Sequence, residues 1–468
     1  MTAASAPALR IVVVGGGISG LAAAWSISDA APDADVLVLE AARSVGGKLQ
    51  VAEIAGVAVD VGAEAMLARR PEGVELARAA GLAADVIAPR TTSAQLWAGG
   101  ARHALPPRTF LGIPDGSASL PMLSARSRAV VSAERDTAPM PALREDVSVG
   151  ALVRGRLGAE VLDRLVDPLL GGVYAGRAEA LSLQATMPAL YERLAAAPAR
   201  LTEAVRAVVD RGVHDPTAGP VFASVAGGLG RLPQQLARSG RFTVRTGTTV
   251  RSITRTPAGF ELVVGAVPAS TTLQADAVVV ATPAAKASRL LDALAPAAAA
   301  ELAQIESASM AICSLAYRDV DPPPGSGILV AAREGFSVKA VTLSSQKWPM
   351  HTGAGVTILR ASLGRAGEAH VLQRDDEELL ALVRHELRGL LGIGAVPLDA
   401  LVTRWGGALP QYAPGHVARV ARIRASLAQV PGLAVCGAAF DGVGIPACIA
   451  AARRAGDQVL AAPLPRAQ

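Results

Sequence analysis

Short, uninterrupted apolar runs and longer amphipathic stretches alternate along this chain. Leu9 to Val14 and Val36 to Leu39 are rich in Val, Ile and Leu, the pattern of strands buried on both faces of a parallel sheet. Between them Leu21 to Ala30 has helix-forming composition, so the amino end predicts a strand–helix–strand unit. Val51 to Ala65 alternates as a strand does, and Pro71 to Gly81 carries the apolar stripe of a helix. From Gly99 to Arg144 the proline and glycine turns predict a loop-rich stretch. Helices are expected from Ser148 into Arg156, over Ala159 to Val166 and over Tyr191 to Arg211, with Pro168 to Tyr174 threading between them as an apolar segment. Strands are expected again at Phe242 to Val250, at Gly259 to Val264 and at Ala277 to Pro283, the last as a buried parallel strand ending in a turn. A helix after Ala285 and a strand-rich block from Ala311 to Leu363 follow. A helix over Asp375 to Leu391, a return through Val402 to Trp405, a strand at Leu433 to Cys436 and a helix from Pro446 complete the pattern.

Two glycine-rich segments punctuate this pattern where the apolar runs end. Gly15-Gly16-Gly17-Ile18-Ser19-Gly20 follows the first strand: Gly15 allows a tight turn, Gly17 lets backbone approach a pyrophosphate, and Gly20 permits close helix–strand packing. The pyrophosphate would sit at the N-terminus of the helix that follows. Glu40 ends the second strand 20 residues beyond Gly20, where a carboxylate accepts hydrogen bonds from a ribose diol and repels a 2′-phosphate. Near the carboxyl end, Gly437, Gly442 and Gly444 leave room for a ring system, and Pro446 suits the first turn of a helix aimed at it.

Composition narrows the chemistry. The chain has 468 residues, 51% of them hydrophobic and 18% charged, which predicts two or three globular domains. The formal net charge is +5, and only Lys48, Lys286, Lys339 and Lys347 among the 45 basic residues are lysines. No basic cluster is interleaved with aromatics, so no nucleic-acid partner is expected, while a diffuse positive field favours anionic substrates or lipid. Three cysteines, Cys313, Cys436 and Cys448, with no CxxC pair, argue against a disulfide framework or a thiolate metal site; the six histidines form no HxxxH or HExxH pattern, so no metal is expected. Residues 1–10 lack the make-up of a signal peptide, and no apolar run is long enough to span a bilayer, so a cytoplasmic protein is expected.

Several segments resemble one family. Ala41-Ala42-Arg43-Ser44-Val45-Gly46-Gly47-Lys48 extends the glycine turn in the manner of the FAD-binding signature of the amine oxidase and protoporphyrinogen oxidase superfamily. Arg404 to His416 is similar to the RW...ALPQY..GH segment of protoporphyrinogen and coproporphyrinogen III oxidases. Pro168 to Gly176 with Leu181-Ser182-Leu183, and Phe222 to Leu229, resemble their PLLxGVYAGD...LSL and FxSxxGGL motifs. Arg177 stands where many relatives carry Asp, and Ala447 stands where Asp often follows the proline.

The resemblance implies an α/β fold with a discontinuous, glutathione-reductase-like FAD domain of the Rossmann type (1–66, 220–285 and 402–468). It also implies a mainly helical insertion facing substrate or membrane (67–219) and a strand-rich substrate domain (286–401). It implies noncovalent FAD held by Gly15, Gly16, Gly17, Ile18, Ser19, Gly20, Glu40, Ala41, Arg43, Gly47, Lys48, Gly62, Ala63, Glu64, Ala65, Val250, Trp405, Gly437, Gly444, Ile445 and Pro446. Oxidation of coproporphyrinogen III to coproporphyrin III is implied, with three dioxygen consumed and three hydrogen peroxide released; protoporphyrinogen IX is the alternative substrate, and amine or carotenoid oxidation a more distant one. Arg69, Arg70 and Arg177 are the candidates for substrate propionates, because a guanidinium matches a carboxylate bidentately, and Tyr174 is a candidate cavity wall. Peripheral membrane contact and transient contact with a ferrochelatase-type enzyme are the partners the resemblance leaves open. A catalytic proton acceptor is not identified.

Overall fold

The computed structural model describes residues 8–213, 219–351 and 355–463. The reading of residues 1–10 as free of a signal peptide therefore falls largely outside the described residues.

A five-stranded sheet organises the half that carries the amino-terminal glycine segment. Its strands are β1 (Arg10–Val14), β2 (Asp35–Leu39), β3 (Thr243–Arg245), β4 (Ala277–Val280) and β5 (Leu433–Val435), all parallel and ordered β3-β2-β1-β4-β5. Alternate residues of the apolar runs enter different cores. Ile11, Val13, Val36, Val38 and Val279 face the helices α1 (Ile18–Ala30) and α2 (Ile445–Leu460), whereas Val12, Val14, Leu37, Leu39 and Val280 face the other layer. That second layer holds the antiparallel strands 250–256, 259–264 and 271–275 with the helices Ala284–Leu291, Pro296–Ala303 and His416–Leu427. Burial on both faces explains why β1, β2 and β4 are continuous apolar runs, whereas β3, at the sheet edge, is a largely exposed Thr-Val-Arg.

A seven-stranded sheet forms the second half, in the order 399–410, 307–317, 357–363, 338–342, 327–330, 94–98 and 101–104. One face packs on the helix Asp376–Leu391, whose start is fixed by a capping box between Asp375 and Glu378. The sheet cuts across the expected segments: it takes a hairpin from within 67–219 and an edge strand, Asp399–Pro410, that runs past residue 402.

The third layer is helical, with its own core around Leu152, Leu165, Leu170, Leu190 and Leu201. Three expectations change here. Pro168 to Tyr174 is not an extended thread but lies in a helix, Asp167–Tyr174, with Pro168 in its first turn. Tyr191 to Arg211 is two helices, Pro188–Ala196 and Leu201–Val213, parted at 197–200, where Pro198 interrupts the ladder. The expected loop 99–144 contains the strand Ala101–Ala104 and the helix Ala125–Ala133, which Ser124 caps. Among the described residues no helix is long and apolar enough to cross a membrane.

Candidate functional site

The first glycine segment folds as its spacing requires. Gly15 takes φ +112° and its N–H donates to Leu39 O at 2.8 Å; a Cβ there would press on Ala281 O. A Cβ on Gly20 would run into Gly15 O, so α1 packs on the turn through the absence of a side chain. At Gly17 the space is open: a Cβ would have Gly47 Cα, 3.9 Å away, as its nearest neighbour. Ile18 and Ser19 start α1 and are buried. Glu40 ends β2, and its carboxylate accepts from Gly16 N at 2.6 Å and Ala42 N at 2.7 Å; both oxygens keep further acceptor capacity. Ala41 and Arg43 are exposed beside it, and Arg43 has no ion-pair partner among the described residues.

Sequence-distant segments close around this turn. Gly46 N donates to Gly16 O at 2.8 Å, and Gly47 takes φ +57° beside Gly17. Ala63 N donates to Lys48 O at 3.0 Å, and a Cβ on Gly62 would collide with that carbonyl. Trp405 Nε1 donates to Val61 O at 2.9 Å. From the carboxyl end, Gly437 takes φ +129°, and a Cβ there would have Ser19 Oγ, 3.9 Å away, as its nearest neighbour, while Gly444 caps α2, with Ile445 and Pro446 in its first turn. The two glycine segments thus frame one open cradle with two helix N-termini aimed into it, a natural seat for an anion. Lys48 has no ion-pair partner among the described residues, and burial lowers its pKa while the field of the Cys448 thiol opposes that shift. Cys448 lies in the first turn of α2, and burial raises its pKa. A flavin dinucleotide fits this donor set: open space at Gly17, Gly437 and Gly444, an acceptor at Glu40 and an unpaired cation at Lys48. Val250 starts a strand of the second layer against Val264, two residues after Thr248, whose N–H donates to Glu40 O at 2.8 Å. Among the described residues no group of His, Cys, Asp or Glu could hold a metal.

Glu64 is engaged elsewhere. Lys347 Nζ donates to Oε1 at 2.5 Å, Arg360 Nη1 donates to Oε2, and Arg360 Nη2 donates to Gly62 O at 2.5 Å. Burial alone would raise this carboxyl, but the two cations outweigh it and hold it down at about 2. Asp60, four residues earlier, is buried and accepts from Leu229 N at 3.0 Å and Gly230 N at 3.3 Å; burial raises it to about 6 against those two donors. Neither Lys347, Arg360 nor Asp60 was singled out by sequence. Lys347 was visible only as one of four lysines, and Asp60 lay without an assigned role in the alternating stretch Val51 to Ala65.

The substrate candidates separate. Arg69 lines a cavity of about 770 Å³ with Arg78, Glu75, Val74, Val86, Ile87 and neighbouring residues, and it has no ion-pair partner among the described residues. Arg70 turns away, its backbone at the start of the helix Pro71–Ala77 and its guanidinium on Glu72 at 2.6 Å. Arg177 is likewise committed, to Glu368 at 2.6 Å. Tyr174 is buried edge-to-face against Tyr412, ring centroids 5.6 Å apart, and burial pushes it up to about 12.

Two of the family-like segments, 168–183 and 404–416, meet at that ring pair, while Phe222 to Leu229 packs on Met66, Ile87 and Asp60 instead. Gln411 Nε2 donates to Tyr174 O at 2.8 Å, Ser182 N donates to Tyr412 O at 2.7 Å, and Asp146 accepts from Ser182 Oγ at 2.6 Å and from Gly415 N at 2.8 Å. Tyr412 OH donates to Ala438 O, directly behind Gly437. His416 stacks on Tyr412 at 4.1 Å, and burial presses it down to about 4, so it is neutral at pH 7. The ALPQY segment therefore braces the carboxyl-terminal wall of the cradle.

Known proteins resemble this chain along nearly its whole length. The chain is 38% identical to coproporphyrinogen III oxidase of Mycobacterium tuberculosis (strain ATCC 25618 / H37Rv), across 96% of this chain and 97% of that one. It is 29% identical to coproporphyrinogen III oxidase of Bacillus subtilis (strain 168), across 94% and 95%. A crystal structure of a candidate protoporphyrinogen oxidase from Exiguobacterium sp. 255-15 superposes with TM-score 0.85 at 30% identity, covering 97% of this chain and 99% of that one. The family described as flavin containing amine oxidoreductase matches residues 18–460. This chain belongs to that flavin containing amine oxidoreductase family.

Proposed function

We propose that the protein is an FAD-dependent oxidase that converts coproporphyrinogen III to coproporphyrin III, with FAD bound noncovalently. The observation that carries this reading is the 38% identity to the mycobacterial coproporphyrinogen III oxidase along nearly the whole of both chains. The meeting of two of the oxidase-like segments, 168–183 and 404–416, at Tyr174, Gln411 and Tyr412 supports it. Bound flavin would supply two-electron acceptance, three rounds of which account for the six electrons lost when a porphyrinogen aromatises, with dioxygen as the final acceptor.

The chain's own residues bind, orient and exclude water. Glu40, the Gly15–Gly17 turn and Lys48 would hold the dinucleotide, and the α2 N-terminus would favour negative charge on the ring edge facing Gly444. Arg69 and Arg78 would meet substrate carboxylates at the mouth of the 770 Å³ cavity, whose remaining walls are largely apolar, as a macrocycle with charged arms requires. Arg70 and Arg177 drop out as propionate anchors, since each already has a carboxylate. Cys448 is buried, its Sγ facing Gly442 O at 3.7 Å.

The kinship with a candidate protoporphyrinogen oxidase structure favours protoporphyrinogen IX as the second reading. Purified protein, assayed in air with coproporphyrinogen III and protoporphyrinogen IX in parallel, separates the two by porphyrin fluorescence and peroxide. Preferential coproporphyrin formation by yellow protein is the expected result. Equal or better use of protoporphyrinogen promotes the second reading, and bound flavin without either turnover overturns both.

A further inference from the structure

The ion cluster at Glu64 joins the two halves of the molecule. Its acid lies on the loop 61–65, which touches the cradle through Ala63 N on Lys48 O and reaches the edge strand of the large sheet through Trp405 Nε1 on Val61 O. Its cations come from the other half: Lys347 from the helical turn Ser344–Lys347 and Arg360 from the strand Thr357–Leu363. All three side chains are largely withdrawn from solvent, at 12%, 17% and 7% exposure, so the pairs are screened far less than surface ion pairs. Arg360 grips the loop twice, by the Glu64 carboxylate and by Gly62 O, and its Nε is buried without a partner. A guanidinium aimed so at one short loop fixes that loop in position and angle.

We infer that Glu64, Lys347 and Arg360 form a clasp that positions loop 61–65 between the cradle and the large sheet, and so sets how a bound flavin faces the substrate. Glu64 is then a positioning residue that acts through the loop, its carboxylate held by Lys347 and Arg360 of the other half. The inference rests on the FAD reading of the cradle. It does not depend on which substrate is oxidised.

The test uses FAD-loaded protein carrying Glu64→Gln, Lys347→Met, Lys347→Arg and the double variant Glu64→Gln/Lys347→Met. Three quantities are read: the visible circular dichroism of the flavin, the FAD dissociation constant, and kcat and KM with the porphyrinogen that the wild type prefers. A loosened clasp predicts the same altered dichroism band in Glu64→Gln and Lys347→Met. It also predicts a kcat loss of about tenfold, as misplacement of a reacting partner gives, with KM and FAD affinity moving by less than about threefold. The double variant should be no worse than the poorer single one, since Glu64→Gln already removes the ion pair that Lys347→Met breaks. Lys347→Arg should restore the band. A Glu64→Gln protein that loses FAD about tenfold while Lys347→Met keeps it would make Glu64 a direct cofactor ligand and overturn the clasp. So would unchanged dichroism and kcat in every variant with only a lowered Tm. Dichroism and FAD affinity need no porphyrinogen, so a yellow wild type inactive on both porphyrinogens sinks the substrate reading and leaves the clasp to be judged on the flavin.

Discussion

Gly17 and Gly20 stand three residues apart in one turn and answer to different constraints. A side chain at Gly20 would strike Gly15 O within the protein, whereas at Gly17 (φ −75°) any residue fits the backbone and a Cβ meets nothing closer than 3.9 Å. Gly17→Val should therefore give folded protein that is colourless, because the branched side chain occupies the pyrophosphate's place; a yellow variant with full flavin content would refute the turn assignment. Glu40→Ala removes the acceptor of Gly16 N and Ala42 N together with the proposed ribose contact. Charge-assisted bonds of this kind contribute about 1.5–3 kcal/mol, so FAD should dissociate at least about tenfold more readily, read by the return of free-flavin fluorescence. Unchanged occupancy would remove Glu40 from the cofactor site. Among the arginines, Arg69→Ala should raise KM about fivefold or more and leave flavin content intact, as the loss of one carboxylate contact does. Arg70→Ala is the control. Its half-exposed pair with Glu72 is worth about 0–1 kcal/mol, and it should leave KM unaltered; equal effects of the two would argue that neither touches substrate.

At the scale of elements, the helix Arg231–Ala237 shows how a motif read in sequence acquires a purpose in the fold. Its N-cap is Gly230, which offers no side chain, and Asp60 fills the role from another segment through Leu229 N and Gly230 N. Asp60→Ala should cost about 1–2 kcal/mol as a lost cap, visible as a lowered Tm, and should free the GGL turn from the strand Val57–Asp60. An unshifted Tm would mean water caps that helix as well. The strands of the parallel sheet and α2 were legible in sequence, because burial on both faces writes an uninterrupted apolar run and a proline after glycine writes a helix start. Asp167–Tyr174 was not, since Pro168, Gly171 and Gly172 argue locally against a helix. The proline falls in the first turn, where no donor is missed, and Gly172 lets the helix approach Leu329 closely. Gly99-Gly100 was read as loop, yet both glycines take positive φ (+63° and +74°) and turn a two-residue hairpin. The cradle was legible for the same reason that the turns were: glycine spacing is a local constraint. The Glu64–Lys347 pair spans 283 residues, and nothing local announces it.

Across the whole molecule the charge balance turns on a group far from the cradle. Lys339, on the strand Val338–Thr342, is 4% exposed, and its ammonium donates to Gly364 O at 2.8 Å with no ion-pair partner among the described residues. Burial first and the Arg365 charge second press it down to about 7, with Glu368 opposing weakly. A lysine whose folded pKa lies below its unfolded value of about 10.5 destabilises the fold while the pH is low enough to charge it. Its penalty shrinks as pH rises through 7, because the folded state gives up a proton that the unfolded chain keeps. Between pH 7 and 8.5 this one group should add roughly 1–2 kcal/mol of stability. Other shifted groups titrate near that window too. The buried thiols of Cys436 and Cys448, raised like Cys313, oppose the gain toward pH 8.5, while Lys48, lowered by burial, adds to it, so the contribution of Lys339 is read as the difference between wild type and Lys339→Met. Asp60, at about 6, is largely ionised by pH 7, Glu64 stays ionised, and His416 is neutral. Cys313, raised by burial to about 12, opposes the gain only as pH nears the ordinary thiol range. The wild type should therefore unfold at higher urea at pH 8.5 than at pH 7, and Lys339→Met, which keeps the stem and removes the ammonium, should flatten the difference. A slope that survives in Lys339→Met would place the titrating group elsewhere and leave Lys339 paired in a way that offsets its burial.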